Sequence, residues 1–408
     1  MTTFVIVGGG LAGAKAAETL RAEGFDGEVV LFGSEPERPY ERPPLSKGYL
    51  LGKEERESAF VHPASWYAEH NVDLRTGITV AMIDPAAHLV TFGGGTVGYD
   101  KLVLTTGALA RRLDIPGAGL SNVLYLRTLP ESEALRAAFT PEARVVIVGA
   151  GWIGLEAAAA ARTAGSSVTV LEPQPSALYG VLGPELGGKF ADLHRSHGVE
   201  FRFGESAAEF RAAHPGSARV DSVLTTSGAE LPADVVVVGI GVVPNDGLAK
   251  SAGLEVNNGV VTDSALRTSD PDIYAAGDVA SSYHPLLGRH LRMDHWSNAL
   301  NGGKAVAKSM LDQHVEYNRV PYFYSDQYDL GMECAGLPLP GTYDQVVYRG
   351  DSDTLEFVAF WLKEGRLIAG MNVNVWDVND DIQSLVRSRA TVDEARLADP
   401  DVPLARIV

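Results

Sequence analysis

Two doubly wound, parallel α/β sheets are what this sequence predicts. Three observations carry that reading: a chain of 408 residues, a strand–glycine turn–helix–strand unit that occurs twice, and a count of 44 glycines. The length is two to three times that of an ordinary domain, so two or three domains fit, with room for large cores. Apolar residues make up 45% and charged residues 21%, which are globular proportions rather than disordered ones. The glycine excess implies many places where the backbone turns sharply or approaches something closely.

The first unit opens with an apolar, β-branched run at Phe4–Val7. GGGLAG follows at 8–13, then a helix over about 12–22 with Ala and Leu on its buried side, then a strand at Glu28–Phe32. The second unit repeats this grammar. RVVIV begins at Arg144, GAGWIG spans 149–154, an alanine-rich helix runs to about Ala164, and SVTVLE occupies 167–172. Gly8 answers Gly149. A lone GxGxxG is weak evidence, but here each copy leaves a strand and opens a helix, the context in which the pattern has physical meaning. The first glycine makes the tight turn, the second admits a pyrophosphate to the backbone, and the third lets helix and strand pack closely. The helix N-terminus then offers N–H donors and a positive dipole to the phosphates. Two copies imply two dinucleotides, one held and one exchanging.

The acidic residue after each second strand sharpens this. Glu172 stands 18 residues after Gly154, where a carboxylate accepts both ribose hydroxyls and repels a 2′-phosphate. No arginine follows it in EPQPSAL, so the second site reads as one for NADH rather than NADPH. In the first unit Ser34 and Glu35 occupy the corresponding turn.

Composition also excludes. The net charge of −18 has the wrong sign for a generic binder of nucleic acid or of anionic membranes. One cysteine, Cys334, allows no disulfide framework, no CxxC pair and no thiolate cluster, and reads as a small buried hydrophobe. The ten histidines show no ligand spacing, so no metal site is expected. No apolar run approaches a membrane span; the longest, Val235–Val243, is far too short. The first strand begins almost at once with no basic segment before it, so no signal peptide is read and a cytoplasmic location is expected.

Further segments complete a pattern. PYERPPLSK (39–47), YDKLVLTTG (99–107), YLRTL (125–129), VVVVGIGVVPN (235–245), TSDPDIYAAGDVA (268–280), HWSNALNGGKA (295–305) and PYFYSDQYD (321–329) occur in this order. Over essentially its whole length the chain resembles the FAD-dependent ferredoxin reductases of bacterial oxygenase systems, the putidaredoxin reductase type. Rubredoxin reductases and apoptosis-inducing factor share parts of the pattern. The resemblance implies a glutathione-reductase-like arrangement. Its parts are a discontinuous FAD domain (1–112 and 246–320), an NADH domain (113–245) and a C-terminal α+β domain (321–408).

Residue by residue, the resemblance puts Gly8, Gly10, Ala12 and Gly13 at the FAD pyrophosphate, and Lys47 beside the flavin. It sets the Val80 backbone at the adenine, Arg127 on the FAD, Asp278 at the ribityl chain and Trp296 at the pyrimidine edge. Arg42, Thr106 and Gly107 join this set, with Ser34 or Glu35 at the ribose. For NADH it gives Gly149, Gly151, Ile153, Gly154, Glu172 and Gly239. Glu156 takes the place facing the nicotinamide, and with Lys47 forms the expected catalytic pair. Two departures stand out. Ser34 replaces a usual acidic residue, which moves the ribose contact toward Glu35, and Tyr324 replaces the tryptophan of FWSDQ.

The implied function is hydride transfer from NADH to non-covalent FAD, then single-electron delivery to a two-iron ferredoxin serving a monooxygenase or dioxygenase. The alternatives are a rubredoxin reductase or a redox-sensing NADH-binding flavoprotein of the apoptosis-inducing-factor kind. A disulfide oxidoreductase would need a cysteine where PPLSK stands. A quinone reductase would want an amphipathic C-terminal membrane helix, which a tail carrying Pro400 and Pro403 does not supply. For ferredoxin docking, the segment 284–320 offers Arg289, Arg292, Lys304, Lys308 and Arg319 against Asp294, Asp312 and Glu316.

Overall fold

The computed structural model describes residues 1–407, so the final valine of the expected 321–408 domain lies outside the described residues. The chain forms two compact units: 1–42 with 56–109 and 242–321, and 43–55 with 110–241 and 322–408.

In the first unit a five-stranded parallel sheet runs in the order Ile273–Ala275, Lys101–Leu104, Thr3–Val7, Glu28–Phe32, Val72–Arg75. The N-terminal strand is central, with Val5 opposite Val30 on one side and Leu102 on the other. Alternation along it serves two layers. Phe4 and Ile6 join Ala16, Ala17 and Leu20 of helix Leu11–Ala22 and Val306, Ala307 and Met310 of helix Trp296–Met310. Val5 and Val7 face the opposite way, toward Val80, Ile83 and Val90 of a small antiparallel sheet. The two helices meet very closely: a Cβ at Gly303 would lie 2.4 Å from the Ala12 carbonyl oxygen. Only glycine allows that contact.

The second unit repeats the plan. Its parallel sheet is ordered Val199–Phe203, Ser167–Glu172, Arg144–Val148, Val235–Val238, Val123–Leu124. Helix Trp152–Thr163 lays Ala157, Ala158, Ala160 and Ala161 on it, and helix Tyr179–Ser196 follows the second strand. The C-terminal part is a five-stranded antiparallel sheet, ordered Tyr322–Gln327, Leu330–Gly336, Arg366–Val373, Glu356–Lys363, Gln345–Asp351. Helix Asn379–Ser388 covers one face, and Ile382 sits so close that Gly370 tolerates no side chain. The fold class is therefore the expected one: two doubly wound sheets and an α+β portion.

The units do not follow the expected domain cuts: residues 43–55, 110–112, 242–245 and 321 fall on the other side of them, and the expected NADH and C-terminal parts lie in one unit. Residues 43–55 lie inside the expected first domain but pack with the second unit. Their polar groups find partners there. The Leu45 carbonyl accepts from Ser132 Oγ at 2.8 Å, Tyr49 donates to Glu133 at 2.8 Å, and Lys47 pairs with Glu156. Among the described residues no helix is long and apolar enough to cross a membrane.

Candidate functional site

The two glycine turns have the same geometry. Gly8 has φ +132° and Gly149 has φ +103°, a region L side chains rarely adopt. A Cβ at Gly8 would sit 2.1 Å from the Thr105 carbonyl oxygen, and one at Gly149 would sit 2.5 Å from that of Gly239. The third glycines are held against the first: a Cβ on Gly13 or Gly154 would lie 2.2 Å from the Gly8 oxygen or 2.1 Å from the Gly149 oxygen. The middle glycines are different, because Gly10 and Gly151 face nothing within 4 Å. Each is the N-cap of its helix, without a side-chain cap or an acidic residue in the first turn. Two helix N-termini thus keep their N–H groups open beside space that a phosphate can fill. This is the fit a dinucleotide pyrophosphate requires.

The two copies diverge one position before the third glycine. Ala12 is buried against helix Trp296–Met310, whereas Ile153 is 41% exposed. Glu172 reaches back to the second turn: Oε2 accepts from Ala150 N at 2.8 Å and Oε1 from Gln174 N at 3.0 Å. Its carboxylate is therefore fixed beside the glycine loop. Gly239 N donates to the Val148 carbonyl at 2.8 Å, and its missing side chain leaves room for Gly154.

Around the first turn, tertiary structure gathers residues from distant segments. Gly277, with φ +76°, brings the turn carrying Asp278 against Ala12. Arg42 donates to Glu35 at 2.8 Å and to Tyr40 Oη at 2.6 Å. Burial pulls its guanidinium down, but Tyr40, Glu35 and Asp278 outweigh that and raise it. Glu35, expected at the ribose in place of Ser34, is thus already engaged by Arg42 and by the Tyr40 hydroxyl, while Ser34 is exposed. Trp296 Nε1 donates to Glu41 at 2.9 Å. Desolvation pushes His295, beside it in sequence, down to about 4 against the opposing pull of Asp278. Thr106 Oγ1 donates to the Asn245 carbonyl at 2.7 Å, and Asn245 N donates to the Gly107 carbonyl at 2.9 Å. Val80 is buried at a register break in the antiparallel sheet.

Lys47 and Arg127 belong to the second unit. The Arg127 backbone N–H donates to Glu131, whose carboxylate also closes a capping box with Thr128. Lys47 Nζ lies 2.5 Å from Glu156 Oε1 and 5.3 Å from the Tyr324 ring centroid. Glu156 is 3% exposed on helix Trp152–Thr163 and takes two more donors: Ser46 on Oε2, and Ser325 on Oε1 at 2.6 Å. Asp326 is raised by desolvation and by Glu156 and Glu333, with Lys47 opposing. Sequence reasoning paired Lys47 with Glu156 but missed Ser46 and Ser325. Both lie inside the segments PPLSK and FYSDQ, where their neighbours drew attention first.

Cys334 is fully buried between Phe323 and Met371 on adjacent strands, and burial pushes its thiol up. Of the basic residues in 284–320, Arg289, Lys304 and Arg319 are exposed. Arg292 is not: its side chain is 10% exposed and pairs with Asp294. Lys308 pairs with Glu23 at 3.2 Å. Among the described residues no group of His, Cys, Asp and Glu side chains is arranged to hold a metal ion.

Comparison with known proteins agrees with this geometry. Residues 2–303 match the pyridine nucleotide-disulphide oxidoreductase family, and residues 322–408 match the reductase C-terminal domain. The chain is 41% identical over 404 residues to the ferredoxin–NAD(+) reductase component of the anthranilate 1,2-dioxygenase system of Burkholderia cepacia, covering 98% of each chain. It is 36% identical to putidaredoxin reductase of Pseudomonas putida, covering 99% of this chain and 96% of the other. The reductase in the covalent putidaredoxin reductase–putidaredoxin complex superposes with a TM-score of 0.95 at 36% identity, covering 100% of this chain and 98% of that one. With two open glycine-turn helix ends and one sealed thiol, the chain belongs to the pyridine nucleotide-disulphide oxidoreductase family, among the flavoprotein reductases of the putidaredoxin reductase type.

Proposed function

We propose that this protein is an NADH-dependent ferredoxin reductase that carries FAD and serves a monooxygenase or dioxygenase through a two-iron ferredoxin. The observation that carries the reading is the pairing of two open dinucleotide turns with a single inert thiol. A single cysteine gives electrons from a nicotinamide no thiol pair to leave through, so a bound flavin would have to pass them on directly. Bound FAD supplies the chemistry, accepting a hydride from NADH and returning electrons one at a time.

The protein's own residues bind and orient. The first unit offers the Gly8–Gly13 turn and Asp278 to FAD; the second offers the Gly149–Gly154 turn, Gly239, Ile153 and Glu172 to NADH. Glu172 is the selector against NADPH, since its carboxylate is already oriented by two backbone N–H groups and would meet a 2′-phosphate as like charge. Lys47, held by Glu156, would supply the positive charge that reduction of a bound flavin calls for. A cytoplasmic location fits NADH as the donor.

The test is reduction of a panel of iron–sulfur proteins by the purified, FAD-loaded protein with NADH. Fast reduction of two-iron ferredoxins is expected, with rubredoxins slower. NADH oxidation that passes electrons only to oxygen, with every iron–sulfur protein left oxidised, would refute the reading.

A further inference from the structure

The FYSDQ segment contributes more than its aromatic ring. Ser325 is fully buried and donates to Glu156 Oε1 at 2.6 Å. A carboxylate has no proton to return, so the serine hydrogen is committed and its oxygen must accept. What it accepts is Gln327 Nε2, at 3.1 Å. That fixes the amide, and Gln327 Oε1 therefore faces His194 Nε2 at 2.8 Å. The imidazole must then carry its proton on Nε2. Nδ1 is left bare, and the Tyr328 hydroxyl at 3.3 Å is its donor. Ser325, Gln327 and His194 are all at most 1% exposed. Burial pushes His194 down to about 4, so the ring is neutral, as the deduced tautomer requires. Every hydrogen bond points the same way, from Tyr328 to Glu156.

We infer that Ser325, Gln327, His194 and Tyr328 are positioning residues, a one-way chain of donors that fixes the Glu156 carboxylate and through it the Lys47 ammonium. The chain ties helix Tyr179–Ser196 and strand Tyr322–Gln327 to helix Trp152–Thr163, so three elements determine where one carboxylate sits. It orients rather than conducts, because the Gln327 amide gives up a proton only through a high-energy tautomer. Coupled hydrogen bonds of this kind strengthen one another in a dry interior, and a group held through them keeps a narrow geometry. The inference rests on the proposed roles of Lys47 and Glu156 in the hydride step.

The experiment has two arms. Anaerobic single-turnover reduction by NADH compares His194→Phe, which removes the donor, with His194→Gln, which replaces Nε2–H by an amide N–H. His194→Phe should slow reduction roughly tenfold, the scale of a small misplacement at a reacting centre, with little change in nicotinamide affinity. His194→Gln should recover much of the rate. In the second arm, ¹⁵N NMR of histidine-labelled protein, assigned by difference from His194→Gln, reads the His194 ring. The unmodified protein should show one tautomer, with Nε2 protonated. Ser325→Ala should release the Gln327 amide and give a mixture of tautomers. Equal rates for His194→Phe and His194→Gln, or a single unchanged tautomer in Ser325→Ala, would overturn the inference. Unmodified protein that NADH fails to reduce would count against the proposed function instead, and the tautomer arm would still decide the chain's direction.

Discussion

At the residue scale, two side chains make opposite statements about what the protein uses. Glu172, the proposed selector against NADPH, has its geometry set before any ligand arrives: its two oxygens already accept the backbone N–H groups of Ala150, in the glycine loop, and of Gln174. Turning a ribose hydroxyl into a 2′-phosphate places like charge against a fixed carboxylate. The unmodified protein should therefore favour NADH strongly, and Glu172→Gln should raise kcat/KM for NADPH by about tenfold or more, roughly the worth of one such conflict. Steady-state kinetics with both nucleotides checks this; equal kcat/KM in the unmodified protein would contradict it. Cys334 is the converse. Its thiol is sealed in the C-terminal sheet and pushed up by burial, so it supplies almost no thiolate. Cys334→Ala should keep ferredoxin reduction within about twofold, since removing a small buried sulfur costs packing but no chemistry. Loss of turnover with FAD retained and stability normal would restore a thiol route.

At the element scale, helix Tyr179–Ser196 is joined to strand Tyr322–Gln327 through His194 and Gln327, and that joint is sensitive to acid. The folded protein holds His194 at about 4, chiefly by desolvation, with the Gln327 hydrogen bond opposing and His197 adding to it, whereas the unfolded chain has the ordinary 6.5. Between those values the unfolded state binds the extra proton. This contribution is complete above about pH 6.5 and is lost as pH falls toward 4, by about 3 kcal/mol for such a shift. His194→Gln should flatten the corresponding part of a stability–pH curve measured by denaturant melts between about pH 4.5 and 7.5. A slope unchanged by the substitution would show that His194 titrates normally. The joint was not legible in the sequence. Both glycine turns, their strands and the order of motifs were, because each is encoded within about thirty residues by glycine spacing and apolar alternation. The Glu156 chain joins residues 46, 156, 194, 325, 327 and 328, and no local pattern brings those together. For the same reason the placement of 43–55 with the second unit escaped, since the tie is made by side chains more than eighty positions away.

At the scale of the whole molecule, a net charge of −18 opposes an acidic ferredoxin at long range, so attraction has to come from local positive charge. Segment 284–320, the proposed docking patch, keeps fewer exposed basic residues than its sequence suggested. Arg292 is covered and paired with Asp294, and Lys308 with Glu23, which leaves Arg289, Lys304 and Arg319 exposed. Arg289→Glu combined with Lys304→Glu should raise the KM for ferredoxin several-fold at low salt and leave NADH-to-ferricyanide turnover unchanged. The effect should fade as salt shortens the Debye length to about 8 Å. Indifference to both charge reversal and salt would place docking elsewhere. The central claim is that electrons cross this protein from NADH to a one-electron carrier through FAD alone. Its most direct test is an anaerobic stopped-flow experiment on purified protein carrying about one FAD per chain, as a single first-unit glycine turn implies. NADH should bleach the flavin absorbance, and a two-iron ferredoxin should then restore it, two ferredoxins being reduced for each NADH consumed. A protein that folds without taking up FAD, or a flavin bleached by NADH that ferredoxin leaves reduced, would contradict the account.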